Sequence, residues 1–168
     1  MRILALDSSG LVAGVALIQD DVLIAEYTTD YKKTHSQTLL PMLDEISNMT
    51  ELDLSTIDAI AVAGGPGSFT GLRIGSATAK GLGLALEKPL ISIPTTAAIA
   101  YNIWDTDKFV CPIMDARRNQ VYTGVYCYTD HRLDTVWEQD TMSIEALAEG
   151  LNCLDHDCLL YTSPSPRD

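Results

Sequence analysis

The 168-residue sequence predicts an α/β protein, and three observations carry that expectation. Short apolar runs broken by polar turns fill the first part of the chain, and helical periodicity replaces them from about residue 35. A nearly all-apolar run at 57–63 then ends in a glycine-rich loop that opens a second helical stretch.

Ile3 to Asp7, Val12 to Gln19 and Val22 to Thr28 read as three consecutive antiparallel strands, because Asp7-Ser8-Ser9-Gly10 and Gln19-Asp20-Asp21 between them are turn-forming. Thr34-His35-Ser36-Gln37 fits a capping box, and Leu39, Leu43, Ile46 and Met49 recur at helical spacing. A helix is expected over about 35–50, bent where Pro41 removes an internal hydrogen bond. Ile57 to Ala63 has the composition of a central strand covered on both faces, stopped by Gly64-Gly65-Pro66-Gly67. A second helix over about 70–87, a strand at Leu90 to Ile93 and a third helix from Thr95 to about Ile103 follow.

Three antiparallel strands and then alternating helices and strands is the order of a ribonuclease-H-like or actin-like (ASKHA) lobe with a mixed sheet and flanking helices. The order starts again with strands at Phe109 to Met114, Gln120 to Tyr128 and Arg132 to Trp137, and a helix near Ser143 to Leu151. The expected organisation is an N-terminal lobe at 1–106 and an incomplete second lobe at 107–158. Residues 159–168, Ser/Pro-rich and without periodicity, read as a non-native or disordered tail of a truncated chain.

Composition bounds the function. The balance of 46% apolar and 20% charged residues is that of a soluble globular chain, and no apolar run approaches the roughly 20 residues of a membrane span. Asp7 comes too early for a signal peptide, so a cytoplasmic protein is expected. With 11 Lys+Arg against 23 Asp+Glu the net charge is -12, which repels a phosphate backbone and predicts poor nucleic-acid binding by the chain alone. Cys111, Cys127, Cys153 and Cys158 form no CxxC pair and read as buried, reduced thiols.

Several chemistries lack parts. The loop Gly64–Gly75 follows a strand and opens a helix, where amides and the helix dipole can hold an anion. A Rossmann site would need an acidic residue after the next strand, where Pro94 stands, and a Walker loop would need Lys-Ser or Lys-Thr where Leu72 stands. His35, His131 and His156 lie far apart with no HxxxH or HExxH pair, so no metal site is expected. Ser68 has no evident base and no GxSxG elbow, so no catalytic residue is assigned.

What remains is a set of binding residues. Asp7, Ser8 and Ser9 in the first hairpin, with Gly67, Ser68, Thr70 and Arg73 in the glycine-rich loop, are candidate anion or nucleotide contacts. Asp115 and Arg117 in the corresponding hairpin of the second lobe join them. Gly71, Gly75, Ala79 and Gly83 trace one nearly bare side of the second helix. Helical glycine costs about 1 kcal/mol relative to alanine, so the row implies close approach to something. Packing on the chain's own sheet or first helix and docking of a partner helix both remain open, and the two can hold together if the helices at 35–50 and 70–87 lie side by side. The partner reading joins this row to Leu39, Leu43 and Ile46 of the first helix as an interface.

The runs Ile3-Leu4-Ala5-Leu6-Asp7-Ser8-Ser9, His35-Ser36-Gln37-Thr38-Leu39-Leu40-Pro41, Gly65-Pro66-Gly67-Ser68-Phe69-Thr70-Gly71-Leu72-Arg73-Ile74-Gly75 and Met114-Asp115-Ala116-Arg117-Arg118-Asn119-Gln120-Val121-Tyr122 together resemble the bacterial TsaB (YeaZ) family, over about residues 1–151. That resemblance implies a two-lobed actin-like subunit in the making of N6-threonylcarbamoyladenosine at position 37 of tRNAs reading ANN codons. It implies that a paralogue, TsaD, carries the transfer with its own metal-binding histidines and nucleotide site. The TsaB-like chain would be the dimerisation subunit, pairing with TsaD through its first two helices, with the ATPase TsaE joining. Alone it would form a homodimer through the same helices and meet tRNA only through the complex. No intrinsic cofactor is implied, with ATP or ADP and metal belonging to the partner subunits. The sequence departs from the family at Leu159–Asp168. An alternative from another class is an independent actin-like ATPase or kinase using Asp7 and Asp115, or a metallopeptidase-like enzyme.

Overall fold

The computed structural model describes residues 1–30 and 37–162. The chain forms two compact units that divide after Ile93.

The first unit holds a five-stranded sheet in the order β3-β2-β1-β4-β5, with β1 at Arg2–Asp7, β2 at Ala13–Gln19, β3 at Val22–Thr29, β4 at Ala59–Gly65 and β5 at Leu90–Pro94. β1, β2 and β3 form an antiparallel meander, and β4 joins parallel to β1. The alternation of β1 sets the core. Leu4 lies between Leu17 and Ile60, and Leu6 between Val15 and Val62, giving two apolar rows across three strands. Both rows are buried with Leu39, Met42, Leu43 and Ile46 of helix α1 (Leu39–Thr50) and Ala79 of helix α2 (Phe69–Leu86). Each large side chain so buried contributes about 1.5–3 kcal/mol.

The helix starts differ from expectation in an instructive way. α1 begins at Leu39, and its first internal hydrogen bond runs from Met42 N–H to the Thr38 carbonyl. Pro41 therefore sits in the first turn, where a backbone N–H has no intrahelical acceptor, and removes nothing. The capping-box residues Thr34, His35 and Ser36 lie outside the described residues. α2 starts one residue earlier than expected because the Ser68 hydroxyl accepts from Gly71 N–H at 3.2 Å and caps it.

The second unit repeats the plan. β6 (Phe109–Arg117), β7 (Gln120–Thr129) and β8 (Arg132–Ser143) form an antiparallel meander, helix α4 (Ile144–Asn152) follows, and β9 (Cys158–Thr162) pairs parallel to β6. The sheet order β8-β7-β6-β9 mirrors β3-β2-β1-β4, so β9 is the counterpart of β4. Of the stretch 159–168, residues 159–162 belong to this strand and 163–168 lie outside the described residues. The short helix α3 (Thr95–Ala100), expected to close the first lobe, belongs to the second unit. It buries Ala100 against Val110 and Tyr126, and the Thr96 and Tyr126 hydroxyls share a hydrogen bond at 2.7 Å.

Three two-residue hairpin turns are built without glycine. Asp20-Asp21, Arg118-Asn119 and Asp130-His131 all have positive φ, the geometry of type I′ turns. No helix among the described residues is long and apolar enough to cross a membrane.

Candidate functional site

The C-terminal ends of β1 and β4 lie side by side, the place where open α/β sheets receive ligands. Two predicted segments meet there. The Ser8 hydroxyl donates to the Gly71 carbonyl at 2.8 Å, and Ser68 N–H donates to the Ser9 carbonyl at 2.6 Å. Gly67 is needed for this closeness, since a Cβ there would stand 2.4 Å from the Ser9 oxygen. Asp7 turns back on its own loop, its Oδ1 accepting from Ser9 N–H at 2.8 Å.

The Ser8 hydroxyl is thus spent on Gly71, and the Ser9 carbonyl and Ser68 N–H on each other. Ser8 and Ser9 are buried, whereas Asp7, Ser68 and Thr70 are exposed. As arranged, these residues latch the first hairpin to the start of α2. Arg73 is not part of the junction. Its guanidinium carbon lies 4.4 Å from the centre of the Phe69 ring, on the outer side of α2. In the second unit Asp115 repeats the role of Asp7, with Oδ1 accepting from Arg117 N–H at 2.6 Å, and the exposed Arg117 sits at the hairpin's left-handed bend.

The predicted interface residues need correction. Gly71, Gly75, Ala79 and Gly83 are buried, and Leu39, Leu43 and Ile46 are in the core with them. The bare side of α2 faces its own sheet. A Cβ on Gly75 would come within 2.5 Å of Ser8 Oγ, and one on Gly83 within 2.8 Å of a Leu90 methyl. The small-residue row itself packs on the chain's own sheet.

The opposite faces are the ones left uncovered. Leu40 and Met49 of α1 are 53% and 77% exposed, and Phe69 and Leu84 of α2 are 72% and 84% exposed. Phe69, Leu72, Arg73, Ser76, Ala77 and Lys80 line a shallow depression along α2. Sequence reasoning missed this strip, although a helix carrying small residues on one side and Phe69, Arg73, Lys80 and Leu84 on the other already signals which side turns outward.

His131 Nδ1 lies 2.6 Å from Asp105 Oδ2, and His156 stacks on Phe109 with ring centres 4.3 Å apart. Among the described residues no group of three or more His, Cys, Asp or Glu could hold a metal ion. All four cysteines are free. Burial pushes the Cys111 thiol above its ordinary pKa, but Cys153, expected to be buried, is exposed.

The fold and this self-engaged junction define a class: an actin-like, ribonuclease-H-like α/β protein with a closed loop at the sheet end and an uncovered helical face. A family model described as "TsaD: tRNA N6-adenosine threonylcarbamoyltransferase" matches residues 23–156. The Bacillus subtilis protein named tRNA threonylcarbamoyladenosine biosynthesis protein TsaB is 41% identical over 136 residues, covering 81% of this chain and 59% of that one. Its Escherichia coli namesake is 38% identical over 128 residues, covering 75% and 55%. The solved YeaZ from Pseudomonas aeruginosa superposes with a TM-score of 0.77 at 31% identity, covering 86% of this chain and 68% of that one. The chain belongs to the TsaB (YeaZ) family. It spans 59% and 55% of the length of those two curated relatives.

Proposed function

We propose that this chain is a non-catalytic subunit that pairs with a TsaD-like transferase and activates it for threonylcarbamoylation of adenosine 37 in tRNAs reading ANN codons. The observation that carries the reading is the outer face of α1 and α2, where Leu40, Met49, Phe69 and Leu84 stand in solvent above a fully formed core. Large apolar side chains grouped on adjacent helices lose water when a partner helix covers them, at about 25 cal/mol per Å² of apolar surface. The names of the relatives supply the pathway. The net charge of -12 supports an indirect role toward tRNA, which the partner would hold. ATP or ADP and metal reside in the TsaD-like and TsaE-like subunits, the complex works in the cytoplasm, and without partners the chain pairs with a second copy of itself.

The test is reconstitution. TsaD-like and TsaE-like proteins from the same genome are incubated with tRNA, threonine, bicarbonate, ATP and the enzyme that makes the threonylcarbamoyl donor, and modified adenosine is measured by mass spectrometry. Modification that depends on this chain, and falls with Phe69→Asp, is the expected result. Equal modification without the chain would overturn the reading.

A further inference from the structure

Three aromatic rings of the second unit stand together at its surface. Tyr101 follows α3, Trp104 lies in the turn leading to β6, and Tyr128 is near the end of β7. Ring centres are 5.0 Å apart for Tyr101 and Trp104, 5.3 Å for Trp104 and Tyr128, and 6.3 Å for Tyr101 and Tyr128. At these separations the rings pack on one another and leave no gap for a ligand between them. What they offer is outer surface. Tyr101 and Trp104 are 53% and 52% exposed, whereas the Tyr128 hydroxyl oxygen is buried with no hydrogen-bond partner among the described residues. Tyr128 is the floor that holds two half-exposed rings in place.

The rim is acidic. Asp105 directly follows Trp104, Asp107 lies two residues on, and Asp130 stands at the tip of the β7–β8 hairpin, all three exposed. That tip reaches the Trp104 turn, where His131 Nδ1 is 2.6 Å from Asp105 Oδ2. Burial, then Tyr101 and the Asp105 carboxylate, hold the Tyr128 phenol above its ordinary pKa, so the ring stays neutral. The nearby cations are turned elsewhere. Lys108 pairs with Asp157 at 3.5 Å, and Arg132 adjoins Leu133, the strand partner of Tyr128, so the pleat sends its side chain to the other face of the sheet.

Ring faces inside a carboxylate rim attract a cation, and the chain makes one such contact itself, with Arg73 lying 4.4 Å from the Phe69 ring centre. A planar guanidinium stacks on open rings, whereas a methylated ammonium is held by an enclosing cage, which these rings do not form. Nucleobases also stack on exposed aromatics, but their phosphates would meet Asp105, Asp107 and Asp130.

We propose that the Tyr101–Trp104 face is a docking site for an arginine side chain of a basic partner protein, the guanidinium lying on the rings and reaching the Asp105 carboxylate. The site is separate from the pairing reading of α1 and α2, since all its residues belong to the second unit.

The experiment titrates the full chain, labelled with nitrogen-15, with acetyl-triarginine amide and with its uncharged isostere acetyl-tricitrulline amide. The indole N–H signals of Trp104 and Trp137 are followed, with circular dichroism to verify folding of each variant. Triarginine should move the Trp104 signal saturably and leave that of the half-buried Trp137 in place, and tricitrulline should move neither. Tyr101→Leu and Trp104→Leu, the latter read by calorimetry, should each weaken triarginine binding about threefold or more. Asp105→Asn should weaken it and flatten its salt dependence. Glu145→Gln/Glu149→Gln, which removes two exposed acids of α4, should leave it within about twofold, separating the site from general attraction to an acidic protein. An unmoved Trp104 signal, or parental affinity in both folded ring variants, would overturn the proposal. A Trp104 shift with a single-stranded uridine decamer and none with triarginine would overturn it in favour of RNA.

Discussion

Replacing Gly75 by alanine separates the inward reading of the small-residue row from the outward one. In an exposed helix the change is favourable by about 1 kcal/mol. Here the new Cβ would stand 2.5 Å from Ser8 Oγ, and Ser8 is buried with its hydroxyl on the Gly71 carbonyl. Overpacking of this kind costs about 1–3 kcal/mol. Displacing the hydroxyl forfeits a hydrogen bond of about 1 kcal/mol. After the helix gain, Gly75→Ala should destabilise the first unit by about 1–3 kcal/mol. Gly81 on the same helix has nothing within 4 Å of its added Cβ, so Gly81→Ala should stabilise by up to about 1 kcal/mol. The double variant Ser8→Ala/Gly75→Ala removes the clashing oxygen and leaves Val62 Cγ2 at 3.6 Å and Ser8 Cβ at 3.8 Å, ordinary contacts. It should recover to within about 1 kcal/mol of the parent, because the oxygen that meets the new Cβ is gone. Urea unfolding followed by far-ultraviolet circular dichroism, with hydrogen exchange across α2, reads all four proteins. If Gly75→Ala proved as stabilising as Gly81→Ala, the close approach of α2 to Ser8 would be wrong, and with it the assignment of which helix face is free.

Other expectations concern local backbone and ionisation. Asp21 and Glu87 have φ of 66° and 55°, one in a two-residue hairpin and the other capping α2, so Asp21→Gly and Glu87→Gly should each raise thermal stability by roughly 0.5–1 kcal/mol. Iodoacetamide followed by mass mapping should label the exposed Cys153 first and the buried Cys111 last. Burial raises the folded-state pKa of Cys111 and Tyr126 above their ordinary 9.0 and 10.0. The stability these neutral groups contribute is complete below those ordinary values and lost as pH climbs through the raised ones. Alkaline unfolding of the second unit should therefore begin above about pH 9, with thiolate and tyrosinate absorbance rising together with the loss of structure.

Most of the element order was legible because strands and helices here keep clean periods: the alternation of Leu4 and Leu6 and the helical spacing of Leu39, Leu43 and Ile46 each point one way. The failures share a cause, which is that local pattern says a surface is special without saying what meets it. Gly71, Gly75, Ala79 and Gly83 announced close approach, but only the position of Ser8, far away in sequence, decides that the approach is internal. Cys158–Thr162 was hidden because five strand residues adjoin a Ser/Pro-rich stretch, and its meaning comes from pairing with β6. The glycine-rich loop does join the end of β4 to α2, as its place after an apolar run and before a helical one indicates. Its closure could not be read, since it depends on Ser9 and Ser68 meeting across the fold.

If the outer face of α1 and α2 is a pairing surface, as proposed, the chain must associate through it with the transferase. Sedimentation velocity of the chain with the TsaD-like protein of the same genome, in parent form and as the double variant Phe69→Asp/Leu84→Asp, tests it most directly. The expected result is a heavier species containing both proteins for the parent and its loss for a variant whose circular dichroism is unchanged. Association of the variant as tight as that of the parent, or no association by a well-folded parent, would contradict it.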